Sequence, residues 1–182
     1  MERNSFIVTG ASASGKTTLI TEAIKSGYIY LPTHMTRPIR PGEKNGESAI
    51  FIPKSEFKEN FNNGLYIEES LDFALLKSIG EYYGTPREWL VELQKLNRCA
   101  SPVSIAIAKE IYKALRVLWI HLYCNDEDRY KRLVARGISE EEVDKRMKSG
   151  DSINFPDEAT MINTSVELPS KILEKIKMME RE

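Results

Sequence analysis

Two glycines bracketing a short polar loop, then a lysine and a hydroxyl residue, carry the clearest chemistry in this chain: Gly10-Ala11-Ser12-Ala13-Ser14-Gly15-Lys16-Thr17, entered from the apolar run Phe6-Ile7-Val8. The spacing fits the strand–GxxxxGK[ST]–helix pattern of a phosphate-binding loop. Gly10 and Gly15 let the backbone turn tightly, so that successive N–H groups point into an anion-sized nest. A helix opening near Gly15 adds its positive end. Lys16 can reach the β- and γ-phosphates, and the Thr17 hydroxyl can ligate Mg²⁺. The ligand implied for residues 10–17, continuing to Thr18, is a nucleotide with Mg²⁺.

A second set of chemistry-bearing residues is arginine. Arg37 and Arg40 sit three apart in a proline-punctuated turn. Two guanidinium forks aimed at one phosphate give a planar, charge-assisted grip that lysine cannot reproduce. Arg129, Arg132 and Arg136 share one face of a helix, with Tyr130, Leu133 and Val134 on other faces. Asn125 or Asp126 can cap that helix, and Gly137 can end it. Ser139-x-x-Glu142 reads as a capping box opening a further helix, which carries Arg146. Arg132, Arg136 and Arg146 together suit a mobile lid over a γ-phosphate, whereas Arg129 reads as surface. A phosphate acceptor is already largely dianionic at neutral pH, with a second pKa of about 6, so no catalytic base is required. His34 and His121 have no ligand spacing and read as packing residues; Trp89 and Trp119 read as core.

These groups need a scaffold. A chain of 182 residues with 41% hydrophobic and 29% charged residues has the size and composition of one globular domain. A formal net charge of −1 argues against a broad nucleic-acid or membrane-surface footprint. Cys99 and Cys124 lack metal or disulfide spacing and read as small core residues of a reducing compartment, with the cytoplasm as the expected location. No apolar run approaches the roughly 20 residues of a membrane span, and the opening Met-Glu-Arg-Asn runs into a strand without a signal peptide. Residues 5–9 read as a strand and 16–26 as a helix. Residues 117–123, nearly all apolar, read as a strand buried on both faces. Residues 126–136, 139–149 and 168–180 read as helices and 160–162 as a short strand, an α/β order that predicts a central parallel sheet with helices on both faces. Residues 33–95 break the pattern with Pro38, Pro41, Gly42, Gly46, Pro53 and Gly64, the mark of a small turn-rich insert.

Thr36-Arg37-Pro38-Ile39-Arg40-Pro41-Gly42-Glu43-Lys44-Asn45-Gly46 resembles the TTR-x-x-RPGE-x-x-G segment of the guanylate kinase family, and Phe51 with Lys54-Ser55-Glu56-Phe57 continues the match. Gly80-Glu81-Tyr82-Tyr83-Gly84-Thr85 resembles that family's G-N-Y-Y-G-[TS] element. Arg132-Leu133-Val134-Ala135-Arg136-Gly137, with Ser139-Glu140-Glu141 and Arg146, resembles its RL-x-x-RG lid, and Asn163 its late strand-end Asn. The resemblance implies a three-layer P-loop kinase fold: a core of 1–32 and 96–182, an inserted α+β acceptor-binding subdomain at about 33–95, and a helical lid at about 126–150. It implies catalytic roles for Lys16, Arg37, Arg132, Arg136 and Arg146. Acceptor-binding roles fall on Thr33, Arg37, Arg40, Glu43, Glu68, Tyr83, Gly84, Thr85 and Ser104. Glu68 best matches the guanine-reading Glu, with Glu69 and Asp72 as alternatives.

Three departures bear on the acceptor. The family's phosphate-contacting Tyr is Ala49 and its preceding Asp is Ser48; its D-I-D strand reads Pro102-Val103-Ser104; and the stretch between Glu68 and Gly80 is lengthened. The implied activity is ATP-dependent phosphorylation of a nucleoside monophosphate, GMP or dGMP by default. The alternatives are a kinase of this fold for another phosphorylated acceptor, such as a modified nucleotide or ribose 1,5-bisphosphate, and a catalytically silent nucleotide-binding module. Expected partners are small-molecule nucleotides, not nucleic acid or membrane, with the chain acting as a monomer or homodimer.

Overall fold

The structure, a computed structural model, describes residues 5–40, 42–76, 80–95, 98–115, 117–148 and 156–180. Pro41, the Met-Glu-Arg-Asn start, and the far ends of the 139–149 helix and of the expected lid lie outside the described residues. The first elements are β1 (Phe6–Thr9), α1 (Lys16–Lys25), β2 (Ile29–Tyr30), β3 (His34–Met35), β4 (Ile50–Phe51) and α2 (Lys54–Asn62). There follow α3 (Leu71–Ala74), β5 (Leu75–Leu76), β6 (Glu81–Gly84), α4 (Glu88–Lys95), β7 (Cys99–Pro102) and α5 (Ile105–Ala114). The chain continues with β8 (Leu118–Tyr123), α6 (Asp126–Val134), α7 (Glu140–Lys148), β9 (Thr160–Asn163) and α8 (Pro169–Met179). They form two compact units, one of residues 1–30 with 96–182 and one of residues 31–95.

The first unit is built on a five-stranded parallel sheet of order β2-β7-β1-β8-β9. Every residue of β1 is buried, as is β8 up to Leu122, so these strands have no solvent face and read as continuous apolar runs. Side chains alternate across each strand. On one face Phe6, Val8, Ala100, Ile120 and Leu122 pack with Leu19, Ile20 and Ala23 of α1 and Ile172, Leu173 and Ile176 of α8. On the other, α5 packs against β1 and β8, with the Tyr112 and Trp119 rings 6.0 Å apart. That face carries a buried polar trio: the Trp119 indole N–H donates to Thr9 Oγ1 at 2.8 Å, and Thr9 Oγ1 lies 2.9 Å from His121 Nδ1. His121 is therefore a packing residue, as its place in an apolar strand implied.

The second unit has a four-stranded mixed sheet, β4-β3-β6-β5, over a small core of Phe57, Tyr66 and Ala74. Here the residue pattern showed only turns and short apolar pieces, because β3, β4 and β5 have two residues each, too few to show alternation. Gly84 is fixed by packing: a Cβ there would lie 2.7 Å from the Tyr66 ring and 2.9 Å from Phe57.

Candidate active site

The strand β1 delivers the chain into the loop Gly10–Gly15, and α1 begins at Lys16. Gly10 has φ +142°, and a Cβ there would sit 2.2 Å from the Leu122 carbonyl oxygen, so only glycine fits. Gly15, at φ +103°, is the N-cap of α1. Ala13 also adopts a left-handed φ of 67°, a strained value for a residue with a Cβ. Ala11, Ala13 and Ser14 are buried, while Thr17 and Thr18 are exposed on the first turn of α1. The Ser14 hydroxyl is buried with no hydrogen-bond partner among the described residues. The Lys16 ammonium folds over the loop and donates to the Gly10 and Ala11 carbonyls at 2.5 and 2.8 Å. It is an ammonium poised on the loop's rim.

The two arginine-bearing helices meet this loop. Asn125 caps α6 by accepting from the Asp128 N–H at 2.7 Å, which resolves the Asn125-or-Asp126 alternative. Gly137, at φ +66°, follows the helix end. Ser139 accepts from the Glu142 N–H at 3.3 Å, but the Glu142 carboxylate turns to Arg146 at 2.7 Å, so only half of the capping box forms. Arg132 donates to the Thr164 hydroxyl and carbonyl, both at 2.8 Å, and more loosely to the Ala13 carbonyl. Arg146 donates to Ser12 Oγ at 3.2 Å, and Arg136, exposed, reaches the same oxygen at 3.5 Å. Lys16, Arg132, Arg136 and Arg146 are thereby gathered around residues 10–15 within one unit.

Two residues of this arrangement were not legible. Arg129, read as surface, is buried, and donates to the Ser12, Arg146 and Met147 carbonyls. The inward face of α6 is Arg129 and Leu133, four apart, while Tyr130 and Val134 point to solvent. Leu133 was the available signal, since the residue one turn before it shares its face. Thr164 follows β9, and its hydroxyl donates to the Ser14 carbonyl at 2.9 Å and approaches that of Tyr123 at 3.2 Å. No pattern in the sequence marks it. Its neighbour Asn163 accepts from the Ser165 N–H at 2.9 Å. Ser104 caps α5, its hydroxyl accepting from the Ile107 N–H at 3.3 Å.

In the second unit, Arg37 and Glu43 form a two-pronged ion pair with both N···O distances at 2.7 Å. Glu43 also accepts from the Arg40 N–H at 2.9 Å, so it folds the turn that presents both arginines. Burial works against the Arg37 charge, yet Glu43 and the adjacent Tyr83 phenol outweigh it and hold the guanidinium above its ordinary pKa. Burial likewise opposes the Glu43 charge, and Arg37 with the Arg40 N–H pulls its carboxyl below the usual value. Glu68 is buried, and both its oxygens accept from the Thr85 N–H at 3.0 and 2.9 Å. Burial raises its pKa above the ordinary 4.5 even against that hydrogen bond. Thr33 precedes β3 and is buried, its carbonyl accepting from the Ile50 N–H. The His34 Nδ1 lies 2.9 Å from the Tyr66 hydroxyl. Ala49, standing where the family has Tyr, is fully buried.

The guanylate kinase family model matches residues 2–155. Guanylate kinases of Trichormus variabilis and Nostoc sp. are 34% and 38% identical, covering 78% and 58% of this chain. The chain spans 71% of the first relative's length and about half, 51%, of the second's. Among solved structures, guanylate kinase from Anaplasma phagocytophilum superposes with a TM-score of 0.63 at 18% identity, over 97% of this chain and 83% of that one. A sugar kinase from Janibacter sp. superposes at 0.53 and 13% identity, over 97% and 93%. Both likenesses are of fold. With a phosphate-binding loop ringed by arginines on a parallel sheet, and the family model matching most of its length, the chain belongs to the guanylate kinase family of P-loop kinases.

Proposed function

We propose that the chain transfers the γ-phosphoryl group of ATP to a nucleoside monophosphate, with GMP or dGMP as the first candidate. The observation that carries this is the gathering of Lys16, Arg132, Arg136 and Arg146 around the loop at residues 10–15. The loop suits a nucleotide phosphate: its Gly10 leaves no room for a side chain, and Lys16 sits on carbonyls it can leave for a stronger acceptor. Mg²⁺ in such enzymes takes few protein ligands and completes its shell with water and phosphate oxygens. The exposed Thr17 hydroxyl fits that role, and among the described residues no group of three or more His, Cys, Asp or Glu side chains is arranged to hold a metal ion by itself. Held there, Mg²⁺ would supply positive charge to offset the charge that develops on the transferring phosphoryl group.

The side chains then divide the work. Lys16, Arg132, Arg136 and Arg146 offset charge on the transferring group, a task of electrostatics rather than bond-making. Arg37 and Arg40, set by Glu43 and joined by Tyr83, hold the acceptor phosphate. Glu68, beside Thr33, Gly84 and Thr85 in the chain's acceptor motifs, reads the base. The acceptor phosphate is its own nucleophile, so positioning supplies much of the barrier reduction.

A second reading, a different phosphorylated acceptor, is favoured by the small buried Ala49 and by a Ser104 hydroxyl committed to capping α5. An ADP-release assay with Mg-ATP against the common ribo- and deoxyribo-monophosphates separates the two, with Lys16→Ala as control. Turnover confined to GMP and dGMP supports the first reading. Turnover on none of them, with ATP still bound, overturns it and directs the screen to sugar phosphates.

A further inference from the structure

Arg129 is a charged residue where the helix calls for an apolar one. It lies on the inward face of α6 in line with Leu133 and, at 2% exposure, heads the largest fully buried side chains. Burying a guanidinium is costly unless its donors are answered. Its acceptors among the described residues are main-chain carbonyls: Nε donates to Ser12 at 3.2 Å, and the terminal nitrogens to Arg146 at 2.5 Å and Met147 at 3.4 Å. Arg146 and Met147 lie in the last described turn of α7. Arg129 therefore holds this turn of α7 from α6, and the same guanidinium ties it to the tip of the phosphate-binding loop. The Arg146 side chain leaves from that turn, is braced by Glu142 at 2.6 Å, and reaches Ser12 Oγ at 3.2 Å.

We propose that Arg129 is a positioning residue for phosphoryl transfer, holding the end of α7 so that the Arg146 guanidinium stays set over the loop. The proposal rests on the phosphoryl-transfer reading above. Arg129 acts through Arg146, with its own charge spent on carbonyls. Lysine is no substitute, because one ammonium on a flexible stem cannot bridge Ser12 and two α7 carbonyls as a planar fork does.

The test is a double-mutant cycle of Arg129→Met and Arg146→Met, with Arg129→Lys as a second, charge-retaining variant. The readouts are kcat, the KM for GMP and for Mg-ATP, and amide exchange across α7. Arg129→Met should lower kcat by about a hundredfold, the scale of a ~1 Å misplacement, with the KM for GMP little changed. The double variant should be no worse than Arg146→Met alone, since both changes remove one function. In Arg129→Lys the last-turn amides of α7 should exchange faster while kcat, not KM, falls. Losses that multiply in the double variant, or a kcat in Arg129→Lys within about twofold of the parent, overturn the proposal. If the parent chain turns over no acceptor, the functional reading fails alone. Exchange then decides for Arg129, and an α7 last turn unchanged in both Arg129 variants overturns the inference.

Discussion

At the scale of single residues, the loop's dependence on Gly10 is steric. A methyl group there meets the Leu122 carbonyl oxygen at 2.2 Å, and that oxygen belongs to a central strand that cannot move aside. Gly10→Ala should impose a strain of about 1–3 kcal/mol on the loop. At about 1.4 kcal/mol per decade, ATP affinity should fall roughly ten- to a hundredfold, measured by calorimetric titration. Glu68 makes a prediction in pH. Its pKa is raised by burial, so the folded chain holds this proton more tightly than an ordinary Glu does. The group's contribution to stability is fully present below the ordinary 4.5 and is lost as pH rises through the raised value. Glu43, with a lowered pKa, contributes in the opposite sense: its increment is present above 4.5 and is lost as pH falls through the lowered value. If ionised Glu68 accepts hydrogen bonds from the base, GMP affinity should decline on acidification at a pH above the usual carboxylate range. Glu68→Gln should abolish that acid limb; an unchanged limb assigns it to another group. The glycines, Lys16 and Thr17 were legible because backbone geometry and phosphate chemistry demand those types at that spacing. Arg129 was not, because a buried cation violates the rule by which a helix face is read, and only its carbonyl partners explain it.

At the scale of elements, the helices α6 and α7 depend on their ends. Nine residues each, with mostly charged surfaces, α6 and α7 bury only Arg129, Leu133 and Val143 and have little packing to hold them. Helices this short are marginal by themselves. Their caps therefore carry unusual weight. Ser139→Ala removes a side-chain acceptor at the start of α7 and should cost about 1 kcal/mol, read as a shift in denaturant midpoint. Turnover should fall while ATP affinity changes little, because the loop at residues 10–15 is held independently by β1, α1 and Thr164. Equal losses in both would mean that α7 helps to shape the loop itself. The caps of both helices were visible in the sequence, since Asn125, Gly137 and Ser139 are types with strong positional preference. The α5 helix, with Ile107, Ala108 and Ile111 buried, went unread beside the altered Pro102-Val103-Ser104 strand. The strands β3 to β6 were hidden for a different reason: their register comes from tertiary pairing, not from local pattern.

At the scale of the whole molecule, each unit holds its own core. Among the described residues, the cluster on β1, β7, β8, α1 and α8 draws none from 31–95, and the cluster around Phe57, Tyr66 and Ala74 draws none from outside it. The chain leaves the first unit after Tyr30 and re-enters it at Leu96, just before β7; β2 and β7 pair, Ile29 with Cys99 and Tyr30 with Ala100. The ends of residues 31–95 are thus held together by strands of the other unit, and closing a shorter flexible linker between them costs no more entropy than closing the longer native excursion. A chain in which a flexible Gly/Ser linker replaces 31–95 should fold cooperatively. Mg-ATP at about a hundred times its Kd should stabilise it by about 2.7 kcal/mol, as mass action requires of any folded binder. Lacking Arg37, Arg40 and Glu68, it should release no ADP with any monophosphate. Thermal melts with and without Mg-ATP, beside the ADP-release assay, check both halves. A molten chain with no ATP shift would mean that the sheet needs residues 31–95 to close its core, whereas acceptor-dependent turnover by the shortened chain would move the acceptor site off those residues altogether.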